Sequence, residues 1–268
     1  MIRLAPGEDT APRCAGSGMR MPPTTMDLRR IRAVAFDLDG TLVDSAPDIA
    51  AALDGALAAA GLRRYDVAAV RRWIGDGPDV LIGRALADQG VGNSTEALRS
   101  RLRLDFDAAT LAKPLARGAV YRGMAELLER IHGRLPTAVV TNKPTRLATA
   151  VVSAAGLHAH IDHVLGADRA ELRKPAPALL LEAARRVGVD PAELLMVGDS
   201  GADLLCARAA GCPAVLVAWG YGSAALPGGL EPWRVDDPAD LLDALERAQT
   251  GTARQARRAP EGARGASC

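Results

Sequence analysis

Ile31-Arg32-Ala33-Val34-Ala35-Phe36-Asp37-Leu38-Asp39-Gly40-Thr41 is the stretch on which the fold turns. It starts as an apolar run and ends in two carboxylates and a glycine. A mostly apolar run of this length, rich in Val, Ile and Phe, reads as a buried strand of a parallel sheet. In open α/β sheets, ligands bind in the crevice at the carboxyl ends of the strands, and Asp37 and Asp39 lie at that end. Side chains alternate along a strand, so the two carboxylates leave the same side of Leu38. Like charges held that close are costly unless a cation, donors or a proton separates them. A hairpin turn is the competing interpretation, because Asp-Gly after a strand is a common turn signal. The rest of the chain decides between turn and chemistry.

Working outward, helices and strands alternate on the C-terminal side. Strands are expected over 137–141, 163–166, 194–197 and 214–218, with helices over 121–131, 147–155, 178–187, 202–210 and 239–249. Gly133, Gly156, Gly188 and Gly211 stand where these helices would stop. Strands alternating with helices of about ten residues imply right-handed βαβ units and a parallel sheet. Between the first strand and this series the sequence turns helical. Ile49, Ala52, Leu53, Ala56, Leu57 and Ala60 recur at helical spacing behind Pro47, with Ser45 or Ala46 near the cap. Further helices are expected over 66–73, 80–89 and 94–111, with Gly75-Asp76-Gly77-Pro78 as a loop. The expected organisation is an α/β core over residues 31–45 and 115–250, interrupted by a helical insertion over 46–114. Residues 1–30 are expected to be a disordered extension and 251–268, Arg-rich with Gly, Ala and Pro, a disordered tail.

Composition excludes several classes. The 268 residues carry a formal net charge of only +1, and aromatics make up 3%. Neither a field nor stacking surfaces for nucleic acid or an anionic membrane is present. No run approaches the about 18 apolar residues of a membrane span. Residues 1–30 lack the apolar segment of a signal peptide. The four cysteines form no C-x-x-C pair and have no histidine cluster beside them, which argues against zinc and against a disulfide framework. A cytoplasmic protein is expected.

The ends of the expected strands gather a chemically coherent set. The first ends in Asp37 and Asp39, the second in Thr141-Asn142-Lys143, the fourth in Gly198-Asp199 with Asp203 following, and Lys174-Pro175 lies before the fourth. Clustered carboxylates suit Mg²⁺, which takes oxygen ligands together with waters and substrate phosphate. Hydroxyl, amide and ammonium donors suit a phosphate dianion. One carboxylate can attack phosphorus, and a second can protonate the leaving alcohol and later activate water. Each piece has a bland alternative: a helix cap for Thr141 and Asn142, a solvated charge for Lys174, a helix-dipole partner for Asp203. Their joint occurrence at consecutive strand ends favours chemistry.

These segments resemble the four signatures of the haloacid dehalogenase-like hydrolase superfamily. Asp37-Leu38-Asp39-Gly40-Thr41 matches the first, Thr141-Asn142 the second, Lys174-Pro175 the third and Gly198-Asp199 with Asp203 the fourth. The resemblance implies a Rossmann-like sheet of five strands in the order 3-2-1-4-5, with a helical cap inserted after the first. It implies Asp37 as nucleophile and Asp39 as general acid and base. Thr141, Asn142 and Lys174 would bind the phosphoryl group. Mg²⁺ would be held by the Asp37 and Asp199 carboxylates and the Asp39 backbone carbonyl, with Asp203 supporting it through its water shell. The dehalogenases of the superfamily lack a carboxylate at the Asp39 position, so its presence favours a phosphatase or phosphomutase.

Local strings are similar to the phosphoglycolate phosphatase family. They are Asp39 to Asp48, Trp73-Ile74-Gly75-Asp76-Gly77 followed by Arg84-Ala85-Leu86, Thr141-Asn142-Lys143-Pro144 and Trp219-Gly220-Tyr221-Gly222. The substrate so implied is 2-phosphoglycolate, a small phosphorylated metabolite. A sugar or amino-sugar phosphate, or pyrophosphate, is the alternative. The carboxylate of 2-phosphoglycolate would want a cation or backbone amides. Gly75 and Gly77 could bring amides close, and Arg84 or Lys113 could supply charge. One string departs from the family: Leu115-Ala116-Arg117-Gly118 stands where a Tyr-Pro-Gly re-entry is expected. The chain could act as a monomer or a homodimer.

Overall fold

The computed structural model describes residues 26–222 and 232–256. Its core is a six-stranded parallel sheet: β1 (Ala33–Phe36), β4 (Thr137–Thr141), β5 (His163–Gly166), β6 (Leu194–Gly198), β7 (Ala214–Val217) and β8 (Trp233–Val235). The spatial order is β5-β4-β1-β6-β7-β8. The first five strands follow the expected order 3-2-1-4-5. The sixth, β8, was not expected: it pairs on β7 through Val215–Trp233 and Val217–Val235.

Alternation along the strands feeds two cores. Val34 and Phe36 of β1, Val139 of β4 and Leu195 and Val197 of β6 face one side. There they meet helices α5 (Met124–Ile131), α6 (Thr145–Ala154) and α9 (Pro238–Ala256). Ala33, Ala35, Ala138, Leu194 and Met196 face the other side, against α7 (Ala178–Val187) and α8 (Gly201–Ala210). Small side chains on that face let the helices approach closely. Cys206 and Cys212 are buried there, and burial pushes their thiols up to about 11 and about 12, which keeps them neutral and inert. Cys14 and Cys268 lie outside the described residues.

The insertion consists of α1 (Ala46–Ala59), α2 (Val67–Arg71), α3 (Pro78–Asp88) and α4 (Glu96–Ala112). These helices close on a third core of Leu53, Leu57, Val70, Leu81, Leu86, Leu102 and Phe106. Leu147 of α6 joins that core, so the insertion leans on the sheet unit there. Two short strands, β2 (Val43–Asp44) and β3 (Ala119–Val120), pair antiparallel where the chain leaves and re-enters. The departing string 115–118 serves this junction through its backbone. The N–H groups of Ala116, Arg117 and Gly118 donate to the Asp48 carboxylate at 2.9, 2.9 and 2.6 Å.

The described residues of the two ends expected to be disordered carry secondary structure. Leu28–Arg30 form a 3₁₀ turn capped by Asp27, and Leu28 is buried in the first core. The last helix continues to Ala256. Residues 1–25 and 257–268 lie outside the described residues.

Candidate active site

The strand ends bring the acids together. Asp37 follows β1 directly, and its N–H donates to the Val197 carbonyl of β6 at 2.9 Å. That bond fixes the start of the loop. Asp199 follows β6, and Asp203 sits in the first turn of α8. A capping box orients Asp203: its Oδ2 accepts from the Ser200 N–H at 3.0 Å and the Ser200 hydroxyl at 2.6 Å. Carboxylate oxygens of Asp37, Asp199 and Asp203 lie within 4.8 Å of one another, and all three residues are buried.

One cation opposes these three charges from inside. Lys174 Nζ donates to Asp37 Oδ1 at 2.7 Å, to Asp203 Oδ1 at 2.6 Å and to the Val140 carbonyl at 2.9 Å. All three of its donors are therefore used. Burial pulls the Lys174 ammonium down, but Asp203 and Asp37 outweigh burial and hold it above its ordinary range. The imbalance appears on the acids. Burial raises Asp37 to about 6, against the attraction of Lys174. Burial together with the charges of Asp37 and Asp203 raises Asp199 to about 7. Asp199 Oδ2 accepts from the Tyr221 and Gly222 N–H groups at 2.6 and 3.0 Å. Asp37 Oδ2 and Asp199 Oδ1 make no hydrogen bond among the described residues. Two open oxygens in an over-negative, oxygen-rich cluster are what a hard divalent cation takes, so the residues fit such an ion.

Asp39 stands apart from that cluster. Its Oδ1 and Oδ2 accept from Lys143 Nζ at 2.8 and 2.6 Å, and Oδ1 also accepts from the Ser45 hydroxyl. The expected Ser45 cap of α1 is absent for that reason: the hydroxyl makes no cap bond and turns to Asp39. Thr141 is buried at the end of β4, and its hydroxyl oxygen accepts from the Lys143 N–H at 3.2 Å.

Asn142 is placed near the site but its carboxamide is occupied. Oδ1 accepts from the Lys174 N–H at 2.7 Å, while Nδ2 donates to the carbonyls of Gly75 and Lys174 at 2.8 and 3.2 Å. Its side chain thus positions Lys174 and ties the 75–77 loop of the insertion to the sheet edge. The two expected cap cations are elsewhere. Arg84 pairs with Asp76 and donates to the Trp73 carbonyl at 2.7 Å, bracing the loop from outside. Lys113 is exposed at the end of α4.

A pocket of about 40 Å³ lies between the two units. The core lines it with Asp37, Asp39, Thr141, Asn142 and Lys143. The insertion supplies Ile49, Ile74, Gly75, Gly77, Pro78, Leu81 and Phe106, all without charge. Lys143, Ser45 and Tyr221 are the residues sequence reasoning missed. Tyr221 N–H holds Asp199, and its hydroxyl donates to Asp44 at 2.7 Å and accepts from the Ala46 N–H at 3.0 Å. Arg71 of α2 lies over its ring at 5.0 Å and pairs with Asp44. The hinge, the insertion and an acid of the cluster meet on this one residue.

A family model described as haloacid dehalogenase-like hydrolase matches residues 31–211, the span that carries every acid of this cluster. The chain belongs to this family. Among curated relatives, a phosphoglycolate phosphatase of Chromobacterium violaceum is 36% identical, covering 82% of this chain and 99% of its own length. One from Rhodospirillum rubrum is 41% identical over 71% of this chain and 80% of its own. Among solved structures, that of a predicted phosphoglycolate phosphatase from Haemophilus somnus is 32% identical, with a TM-score of 0.73 over 80% of this chain and 97% of that one. No helix among the described residues is long and apolar enough to cross a membrane.

Proposed function

We propose that this chain is a Mg²⁺-dependent phosphomonoesterase that hydrolyses 2-phosphoglycolate to glycolate and phosphate. The observation that carries the reading is Asp37. One of its oxygens is held by Lys174, and the other is open beside a pocket that Asp39 also lines. A fixed carboxylate with one free oxygen is an oriented nucleophile.

The Asp37 carboxylate attacks phosphorus, and the bond from phosphorus to the ester oxygen breaks. Asp39 delivers a proton to that oxygen, so glycolate leaves as an alcohol and an aspartyl-phosphate remains. Asp39, now a carboxylate, takes a proton from water as the water attacks the same phosphorus. Phosphate departs and Asp37 is restored. The Thr141 hydroxyl serves the transferring oxygens, while Lys174 holds Asp37 and Asn142 holds Lys174 in place. Asp37, Asp199 and the Asp39 carbonyl would hold Mg²⁺, with Asp203 behind them. The ion supplies positive charge that offsets repulsion between the nucleophile and the phosphate.

The curated relatives bear the name of this activity over most of their length. The pocket volume supports a small leaving group: about 40 Å³ is room for roughly three waters. The helical insertion acts as a cap whose apolar side chains exclude water during the first transfer. Buried neutral thiols agree with a cytoplasmic setting. The test is phosphate release from a panel of small phosphomonoesters, with Mg²⁺ and with EDTA, for the wild type and Asp37→Asn. Turnover of 2-phosphoglycolate that needs Mg²⁺ and drops at least 10³-fold in the variant is expected. A better sugar phosphate substrate, or a variant with substantial activity, overturns the reading.

A further inference from the structure

We propose that Lys143 selects the substrate by binding a carboxylate carried on the carbon next to the ester oxygen. The inference rests on the phosphatase reading above and adds what decides between substrates.

Lys143 is the one cationic side chain that lines the pocket among the described residues. Lys174 stands behind Asp37 with every donor already committed, so it is not free to take a second anionic group. The cap wall is apolar, and the nearby arginines are paired with other acids: Arg84 and Arg103 of the cap with Asp76 and Asp79, and Arg173 of the core also with Asp79. A second negative charge on a substrate therefore finds one partner in this pocket.

Position narrows the chemistry further. Lys143 Nζ donates to both oxygens of Asp39 at 2.8 and 2.6 Å. Asp39 must reach the ester oxygen to protonate it. A group that replaces Asp39 as the partner of Lys143 therefore lies within a few ångströms of that oxygen. A carboxylate on the adjacent carbon meets this distance. One at the far end of a long ester does not. The substrate class is a 2-phospho carboxylic acid with a small or absent side chain, because Ile74, Leu81 and Phe106 close the remaining space. Binding also hands the ammonium from Asp39 to the substrate. That exchange frees the Asp39 carboxyl to turn to the ester oxygen, so recognition and catalysis are linked through one ion pair. A phosphate ester without a carboxylate leaves the Lys143–Asp39 pair in place.

Lys143 is a specificity residue whose loss should act on the ratio of two substrates. The experiment compares kcat/KM for 2-phosphoglycolate and for ethyl phosphate, which differs by replacing the carboxylate with a methyl group, in wild type, Lys143→Met and Lys143→Arg. In the wild type, 2-phosphoglycolate should be preferred by at least about 100-fold, as a charge-assisted pair of about 3 kcal/mol allows. Lys143→Met should collapse this preference to within a few-fold, through a raised KM for 2-phosphoglycolate, and Lys143→Arg should restore part of it. Glycolate should inhibit the wild type and not Lys143→Met. Equal losses on both substrates would show that Lys143 only positions Asp39, and would overturn the proposal. A wild type that hydrolyses neither ester refutes the phosphatase reading instead, a separate outcome. Folding of each variant is checked by its far-ultraviolet circular dichroism and its thermal midpoint.

Discussion

Removing Lys174 should cost stability in a way that depends on pH with a predictable sign. Lys174→Met keeps the apolar stem and deletes the ammonium. Three bonds go: to Asp37 at 2.7 Å, to Asp203 at 2.6 Å and to the Val140 carbonyl at 2.9 Å. Asp203 retains its two bonds from Ser200, whereas Asp37 retains none among the described residues. Breaking a buried pair by removing one partner costs about 3–5 kcal/mol, because the other charge is left uncompensated. That is a large share of the roughly 5–15 kcal/mol stability of a domain, yet it leaves the variant folded.

The pH dependence follows from Asp37. Burial already lifts it to about 6, and Lys174 is what opposes burial. A carboxyl whose folded pKa exceeds its unfolded value binds its proton more tightly in the native state, so its charging destabilises the fold as pH rises through that range. Deleting Lys174 raises Asp37 further and enlarges this loss. The gap between wild type and variant should be near its full value at pH 8 and should narrow toward pH 5, where the buried acids can take up protons. Urea unfolding followed by far-ultraviolet circular dichroism, in EDTA at pH 5, 6.5 and 8, measures it. A gap below about 1 kcal/mol at pH 8, or one that widens as pH falls, refutes the claim that Lys174 is the internal counter-charge of the cluster.

Two further perturbations separate metal binding from cap seating. Asp199→Asn keeps an acceptor for the Tyr221 and Gly222 N–H groups but removes one of three crowded charges; the metal-free thermal midpoint should hold or rise while the Mg²⁺ concentration for half-maximal activity rises at least tenfold. Thermal unfolding in EDTA and a Mg²⁺ titration of phosphate release check this, and unchanged metal dependence removes Asp199 from the metal site. Gly77→Ala forces a Cβ to 2.9 Å from the Asn142 carbonyl at a φ of +86°, which should cost about 1–3 kcal/mol and raise KM. Gly61→Ala, at a φ of +70° with nothing within 4 Å of its Cβ, is the control whose KM should not move; equal KM values for both variants sink the role of the 75–77 loop.

The sequence carried the chemistry of single strands better than the partners across them. β1 was legible because Val34 and Phe36 alternate with Ala33 and Ala35 ahead of two acids, whereas the sheet order came from the family resemblance. β8 is only three residues long, and β2 and β3 only two each, too short for any periodicity to register. Their pairing is a tertiary fact. Lys143 was passed over for a similar reason: it meets Asp39 across 104 positions, and no spacing rule announces that contact. Asn142 was expected on phosphate because amides bind phosphate. Which carbonyls compete for its Nδ2 depends on the Gly75 loop, 67 positions away.

These partners change where selectivity resides. The cap was expected to supply the cation for the substrate, as Arg84 or Lys113. The structure instead gives the cap an apolar wall and places the pocket's ammonium on the core, two residues beyond Thr141. Size and charge are then read by different units. The cap can vary its apolar side chains to admit larger or smaller esters without disturbing the electrostatics of transfer. The core cannot vary Lys143 so freely, since the same ammonium holds Asp39 until a substrate arrives. An ester with the right bulk but no carboxylate enters the pocket and meets an Asp39 still bound at both oxygens. Discrimination of that kind falls on the proton-delivery step as well as on binding, so it survives even when a poor substrate is abundant enough to fill the site.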